Sequence, residues 1–356
     1  MNRLSVDPAL RVDDFDFDLP PTLIAQAPIE PRDASRMLVV DRSTSSFSDE
    51  RIRDLPNFLR SGDLLVRNVS QVIPARFWAR RKATGGKIEL LLLRSLDGAR
   101  WEALAKPAKR LTSGMRAEIV RGPNGESTGS ELVVVERGEQ GLVILEFLDD
   151  AFTHLHEFGV APLPPYIHER LEDAQRYQTL YATNPGSAAA PTAGLHFTPD
   201  LMAGCESAGA RWADVTLHIG LDTFRPVSVD RVADHQIHTE WCSVSDDSAA
   251  LIAETKRAGN RVIAIGTTSA RTLETLGQRV DLEHPRGFSA PTNIFITPGY
   301  RWTVVDAMLT NFHLPRSTLI MMISALIGRD TLMRAYAHAV EEQYRFFSFG
   351  DAMLIV

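Results

Sequence analysis

The sequence predicts the α/β class, with a mixed, mainly parallel sheet under helical cover and a small all-β unit of barrel or sandwich type. Three observations carry this. From about residue 151 helical and strand periods alternate, which is the pattern of a parallel sheet covered by helices. Over residues 61–150 short apolar strands follow one another with turn residues between them. Residues 1–60 are mixed in texture and resemble neither neighbour.

In order, "PPTLIAQ" predicts a short helix and "RMLVVD" a strand. The strands of the second zone are "DLLVRN", "QVIPARFWAR", "KIELLLLR", "RWEALA", "ELVVVER" and "LVILEF". Gly85-Gly86, Asp97-Gly98, Ser113-Gly114 and "GPNGESTG" punctuate them. In the third zone Thr198-Pro199-Asp200 signals a capped helix that ends near Gly209. "ADVTLHI" reads as a strand and "DDSAALIAETKRAG" as a helix closing on Gly259. "RVIAIG" is a buried strand leading into the helix "TTSARTLETL". "TNIFITPG" and "VVDAMLTNF" read as strands, followed by helices over 316–328 and 331–347.

With 356 residues, 44% hydrophobic and 23% charged, the chain is long enough for two domains. The strongly apolar run "LIMMISALI" at 319–327, broken only by Ser324, is too short to span a bilayer. "MNRLSVDPALRVDDFDF" contains no apolar core of a signal peptide. Two cysteines, Cys205 and Cys242, exclude a disulfide framework and a cysteine zinc cluster. A soluble, cytoplasmic protein without a membrane partner is expected. The net charge of −7 is unevenly spread: residues 67–116 hold twelve Lys/Arg against three acids, a local +9. Such a segregated basic block is the footprint of a phosphate-binding surface, and equally of a solvated strand face.

Six stretches could carry chemistry. "DHQIHTEW" (234–241) brings two histidines near two carboxylates. Strand alternation in "HTEWCSV" puts His238 and Glu240 on one side, Thr239 and Trp241 on the other, and separates His238 from His235. The helical His-Glu-x-x-His pattern is absent, so no metal is expected. A His held by a carboxylate suits a general base, because imidazole titrates near neutral pH. It also suits a structural pair bridging loop and strand. "SAAAPTAGLHFTPD" places His196 in a backbone-rich turn before a capped helix, a ligand contact or a residue closing over the helix start. "VTLHIGLDTF" sets His218 at a strand end, where α/β sheets bind ligands, or in the core. "IAIGTTSARTLET" is a strand, a turn at Gly266, Thr267 and Thr268, then a helix: an anion site or ordinary capping. "LTNFHLPRSTL" and "YRFFSFGDA" add Asn311, His313 and Arg345 as polar turns of one cleft. No G-x-G-x-x-G occurs, which removes the dinucleotide-binding fingerprint.

Taken as an ordered set, these stretches closely resemble the S-adenosylmethionine:tRNA ribosyltransferase-isomerase family of queuosine biosynthesis. "DFDFDLPPTLIAQAP", "TGGKIELLLL", "KPAKRL", "AAPTAGLHFT", "DHQIHTE", "IGTTSARTLE", "NIFITPGY", "LTNFHLPRSTL" and "YRFFSFGDAMLI" carry the likeness nearly end to end. The resemblance implies a two-domain monomer, with a basic β-barrel at about 61–149 inserted in an α/β catalytic domain built from 1–60 and 150–356. It implies transfer and isomerisation of the ribosyl part of S-adenosylmethionine onto 7-aminomethyl-7-deazaguanine at the tRNA wobble position, giving epoxyqueuosine, adenine and methionine. S-adenosylmethionine is then a consumed substrate and no cofactor is expected. His238, Glu240, His196 and His218 become the acid–base set. Thr192, Gly194, Gly266, Thr267, Thr268, Arg271, Asn311, His313 and Arg345 become substrate-binding candidates. Arg76, Lys87, Lys106 and Lys109 become tRNA-backbone candidates.

Two positions depart from the family pattern. Gln71 in "NVSQ" replaces a cation, and Asp222 replaces a glycine in the turn after His218. Asp222 keeps open a non-catalytic or altered-specificity tRNA-binding paralogue. An S-adenosylmethionine-dependent RNA methyltransferase is the other alternative.

Overall fold

The computed structural model describes residues 6–356 except 98, 139–140, 154, 163, 165, 170–172 and 221–226. The chain begins with 3₁₀ turns and a hairpin, β1 (Arg36–Asp41) and β2 (Ser46–Arg51), then β3 (Leu64–Asn68) and the short β4 (Ser70–Val72). Six strands follow: β5 (Arg76–Arg81), β6 (Lys87–Asp97), β7 (Arg100–Lys106), β8 (Arg116–Val120), β9 (Ser127–Arg137) and β10 (Leu142–Phe147). After the short helix α1 (Leu155–Phe158) come β11 (Asn184–Ser187), α2 (Pro199–Ser207), β12 (Arg211–His218), β13 (Glu240–Val244) and α3 (Asp246–Arg257). The remainder is β14 (Val262–Ile265), α4 (Gly266–Arg279), β15 (Phe288–Thr292), β16 (Ala307–Asn311), α5 (Thr318–Ile327), α6 (Arg329–Glu341) and β17 (Ala352–Ile355).

β5 to β10 close into an antiparallel barrel in the order β10-β7-β6-β5-β8-β9. Its inner positions, among them Phe77, Leu90, Ala103, Ile119 and Leu145, form one small core, and the alternate positions face outward. Two strands expected inside 61–149 are not barrel strands. β3 lies in the large sheet between β12 and β14, and β4 pairs with β11. Pro74 separates β4 from β5 because it has no N–H to give a ladder, so "QVIPARFWAR" is two strands instead of one.

The nine-stranded sheet has the order β15-β13-β12-β3-β14-β16-β17-β1-β2. β12, β3, β14 and β16 run parallel, β17 and β1 pair in parallel, and the remaining pairings are antiparallel, so the sheet is mixed. Its central strands β14 and β17 are buried on both faces, whereas β2, β13 and β15 toward the edges are partly exposed. Leu64, Val66, Met353 and Ile355 pack toward α3, α4, α5 and α6. Leu65, Ile263, Leu309 and Leu354 pack the other way, against α2 and the 3₁₀ turn Ile52–Phe58.

Local signals place several boundaries. Thr198 caps α2 by accepting from the Leu201 N–H, and Ser245 caps α3 by accepting from Ser248. "TNIFITPG" is not a strand: β15 ends at Thr292, opposite Glu240, and the chain turns away toward Pro298-Gly299. The helix around "PPTLIAQ" is only the 3₁₀ turn Pro21–Leu23. Among the described residues, no helix is long and apolar enough to cross a membrane.

Candidate active site

The parallel strands β12, β3, β14 and β16 end at one edge of the sheet, at His218, Asn68, Ile265 and Asn311. Ligands of open α/β sheets bind at that edge. Asn68 is buried there and splices two strand ends: its Oδ1 accepts from the Leu217 and Ser70 N–H groups, and its Nδ2 donates to the Leu217 carbonyl at 3.0 Å.

Three hollows meet along this edge. The first, about 850 Å³, is lined by Thr192, Gly266, Thr268, Asn311 and His313 among others. The second, about 440 Å³, shares Thr267 and Thr268 with it and adds His238, Glu240 and Arg271. The third, about 1320 Å³, shares His238 and Glu240 with the second and opens between the sheet and the barrel.

Glu240 is the hub. It is 5% exposed, and its Oε1 lies 3.2 Å from His238 Nε2 and accepts from the Gly220 N–H at 3.2 Å. Its Oε2 forms a close ion pair with Arg271, whose Nη2 donates to the His238 carbonyl at 2.9 Å. Burial pushes the Glu240 carboxyl up, but Arg271, His238 and the Gly220 N–H together hold it below the usual carboxylate range. The expected His238–Glu240 contact is therefore present, although β13 begins only at Glu240 and His238 approaches in an extended loop. His235 stands apart, its ring edge-on to Phe295 at 5.4 Å. Among the described residues no group of three or more His, Cys, Asp or Glu side chains is arranged to hold a metal.

Arg271 differs from the expectation that it faces a substrate anion. It rises from the second turn of α4, and its guanidinium is engaged by Glu240 and the His238 backbone. The start of α4 retains the anion-site features: Gly266 at φ +85° begins the helix directly after β14, and no side chain caps it. Thr268 Oγ1 there has no partner among the described residues.

His218 lines the third hollow with His238. Burial lowers its imidazole pKa, and Gly186 packs so closely that a Cβ there would lie 2.9 Å from the ring. His196 does not line these hollows. It sits on a separate small one with Arg32 and Arg176, and its Nε2 is 3.3 Å from Asn311 Nδ2. Burial, then the Arg345 guanidinium, brings it down to about 4, so it is a neutral support for Asn311 and not a proton carrier near neutral pH. His313 is likewise neutral, taken to about 3 by burial, with Nε2 2.9 Å from Thr310 Oγ1. Asn311 accepts from Thr192 Oγ1 at 3.0 Å and donates to the Phe347 carbonyl at 3.2 Å.

Two substrate-binding candidates, Gly194 and Arg345, do not line these hollows. A Cβ on Gly194 would lie 2.1 Å from the Tyr181 hydroxyl oxygen, so that glycine serves packing. Arg345 lies outside the wall, 3.6 Å from Asp351 and donating to the Ala27 carbonyl. The neighbouring Phe347 and Ser348 line the first hollow in its place. Trp101 and Trp241, which motif reading passed over, line the third. The alternation that put Trp241 opposite Glu240 was the available signal.

On the barrel, Lys106 and Lys109 are exposed and make no ion pair among the described residues. Lys87 bonds Asn124, and Arg76 stands 3.5 Å from Glu89, so these two cations are partly committed. Gln71 is exposed on β4, and Asp222 lies outside the described residues.

The family described as "Queuosine biosynthesis protein" matches residues 12–355. The fold is similar to the crystal structure of an S-adenosylmethionine tRNA ribosyltransferase from Thermotoga maritima, with 37% sequence identity and a TM-score of 0.56. The match covers 96% of this chain and 100% of that one.

Proposed function

The chain belongs to the queuosine biosynthesis protein family, and we propose that it transfers and isomerises the ribosyl part of S-adenosylmethionine onto 7-aminomethyl-7-deazaguanine at the tRNA wobble position. Epoxyqueuosine forms, and adenine and methionine leave. The observation that supports this most is the buried Arg271–Glu240–His238 cluster, set where the hollows at the strand ends meet the one facing the barrel.

The sulfonium of S-adenosylmethionine acidifies the ribose C5′ hydrogens, and His238 is the group we assign to take the proton. When its neutral ring donates an Nε2–H to Glu240, the lone pair sits on Nδ1. Glu240, kept ionised by Arg271, orients that ring and stabilises the imidazolium that forms. Adenine leaves more readily once a proton or hydrogen bond reaches the purine. We assign His218, the second imidazole of the third hollow, to take a proton from the incoming amine. The uncapped start of α4, with the Thr267 and Thr268 hydroxyls, suits the methionine carboxylate. Lys106 and Lys109, with smaller contributions from Arg76 and Lys87, suit phosphates of the tRNA backbone.

The test is one incubation of the protein with S-adenosylmethionine and tRNA bearing the aminomethyl base, read by mass spectrometry. Adenine, methionine and a correspondingly heavier nucleoside are expected. S-adenosylhomocysteine would reveal a methyltransferase, and bound tRNA without adenine release a non-catalytic binder. Either result overturns the proposal.

A further inference from the structure

The hollow between sheet and barrel has two walls of different origin. The β6–β7 hairpin contributes Leu96 and Trp101, and Phe152 stacks on Trp101 with ring centroids 4.7 Å apart. The sheet edge contributes Trp241, His218 and His238. Leu96 is 42% and Trp241 40% exposed, so two large apolar side chains on opposite walls are left open to this space. Apolar surface grouped in one concavity marks a binding site more than scattered exposure does.

The indole of Trp241 is held in place. Its Nε1 donates to Ser289 Oγ at 3.1 Å, and β13 fixes its backbone between β12 and β15. It thus offers a pre-set aromatic face in a hollow whose polar lining includes His218, His238, Glu102 and Glu240. Such faces take unstacked nucleobases, whose polar edges can bond imidazoles and carboxylates, whereas a lipid tail or apolar peptide would bring nothing to bond His218, His238 or Glu102. The space of about 1320 Å³, part of it open to solvent, is larger than a single base.

We infer that this hollow receives the target base of the RNA, turned out of its stack, and that Trp241 is the face on which it lies. This rests on the function proposed above and deepens it, because it sets the base and its amine on the barrel side of His238. S-adenosylmethionine then occupies the hollows lined by Thr268.

The experiment measures binding of an anticodon stem–loop carrying the aminomethyl base, and separately of S-adenosylmethionine, to wild type, Trp241→Ala and Trp241→Phe. Trp241→Ala should weaken RNA binding about ten-fold and raise KM for RNA similarly, the scale of one base–aromatic stack. Affinity for S-adenosylmethionine should stay unchanged, and Trp241→Phe should recover most of the loss. Leu96→Ala, from the opposite wall, should weaken RNA in the same direction and serves if Trp241→Ala folds poorly. RNA affinity within two-fold of wild type in both alanine variants overturns the inference. So does a loss in S-adenosylmethionine affinity instead, which would put that molecule in this hollow. Absence of adenine release by wild type would sink the proposed function, while the stacking inference would still be decided by the RNA affinities.

Discussion

The barrel and the large sheet solve the burial problem differently, and the difference says where chemistry can reside. Each barrel strand gives one face to a small core and the other to solvent, so a strand such as β7 is free to present charge outward. The middle of the sheet has no free face: α3 to α6 cover one side, α2 and a 3₁₀ turn the other. Its interior admits reactive side chains only where strands stop. His218, Asn311 and the start of α4 all sit at such ends, and Glu240 sits where β13 starts. Recognition of a polyanion belongs on the first kind of surface and proton transfer at the second.

The sharpest way to break this division is at its hub. Glu240→Gln removes the anion from a buried pair and leaves Arg271 uncompensated, which should cost on the order of 3 kcal/mol of stability. Adenine release should fall by about 100-fold or more; urea unfolding and single-turnover assays read the two effects. His238→Ala comes next, with a rate loss of about 100-fold and tRNA affinity retained. Single-turnover release within a few-fold of wild type would remove His238 as the base.

A third effect concerns the buried imidazoles. His196 and His313 have depressed pKa values, about 4 and about 3, so the unfolded chain binds their protons first as pH falls. Stability is intact above about pH 6.5, and is lost progressively below it until each group protonates in the folded state. At pH 5 each should have cost roughly 2 kcal/mol. His313→Gln should flatten the unfolding free energy between pH 7 and 5 by one such share, and an unchanged slope would contradict its burial as a neutral group. The smallest effect is on the barrel. Lys106→Ala with Lys109→Ala should weaken every tRNA by a similar few-fold factor and lower the salt slope by about two. An altered tRNA preference at constant salt slope would move these lysines from backbone contact to base reading.

Much of this contrast could be read from the chain before the coordinates. The barrel strands alternate and are separated by glycine turns, and the caps at Thr198 and Ser245 lie within three residues of the N–H groups they satisfy. What was missed is non-local or lacks a pattern. β2 is "SFSDER", a largely exposed polar edge strand without an apolar face. β17 is a short apolar run whose partner β1 lies near the other end of the chain and whose partner β16 lies beyond two helices. In the site, His238 and Glu240 were visible because they are two residues apart. Arg271 belongs to the same cluster from another element, and nothing local announces that its charge is already taken. Arg345 and Gly194 looked like site residues because their neighbours line the cleft.

The position of β3 has a consequence in time. It lies in the middle of the sheet, yet its partners β12 and β14 are made only after the whole barrel has been synthesised. The barrel strands are close in sequence, whereas β3 must wait for segments more than a hundred residues downstream, and contacts of long sequence separation form slowly. The order of assembly is therefore expected to invert the order of the chain: barrel amides should gain hydrogen-exchange protection first, and those of Leu64–Asn68 last. The edge where His218, Asn311 and the start of α4 meet, built from the same late-joining strands, would be the final part of the molecule to exist.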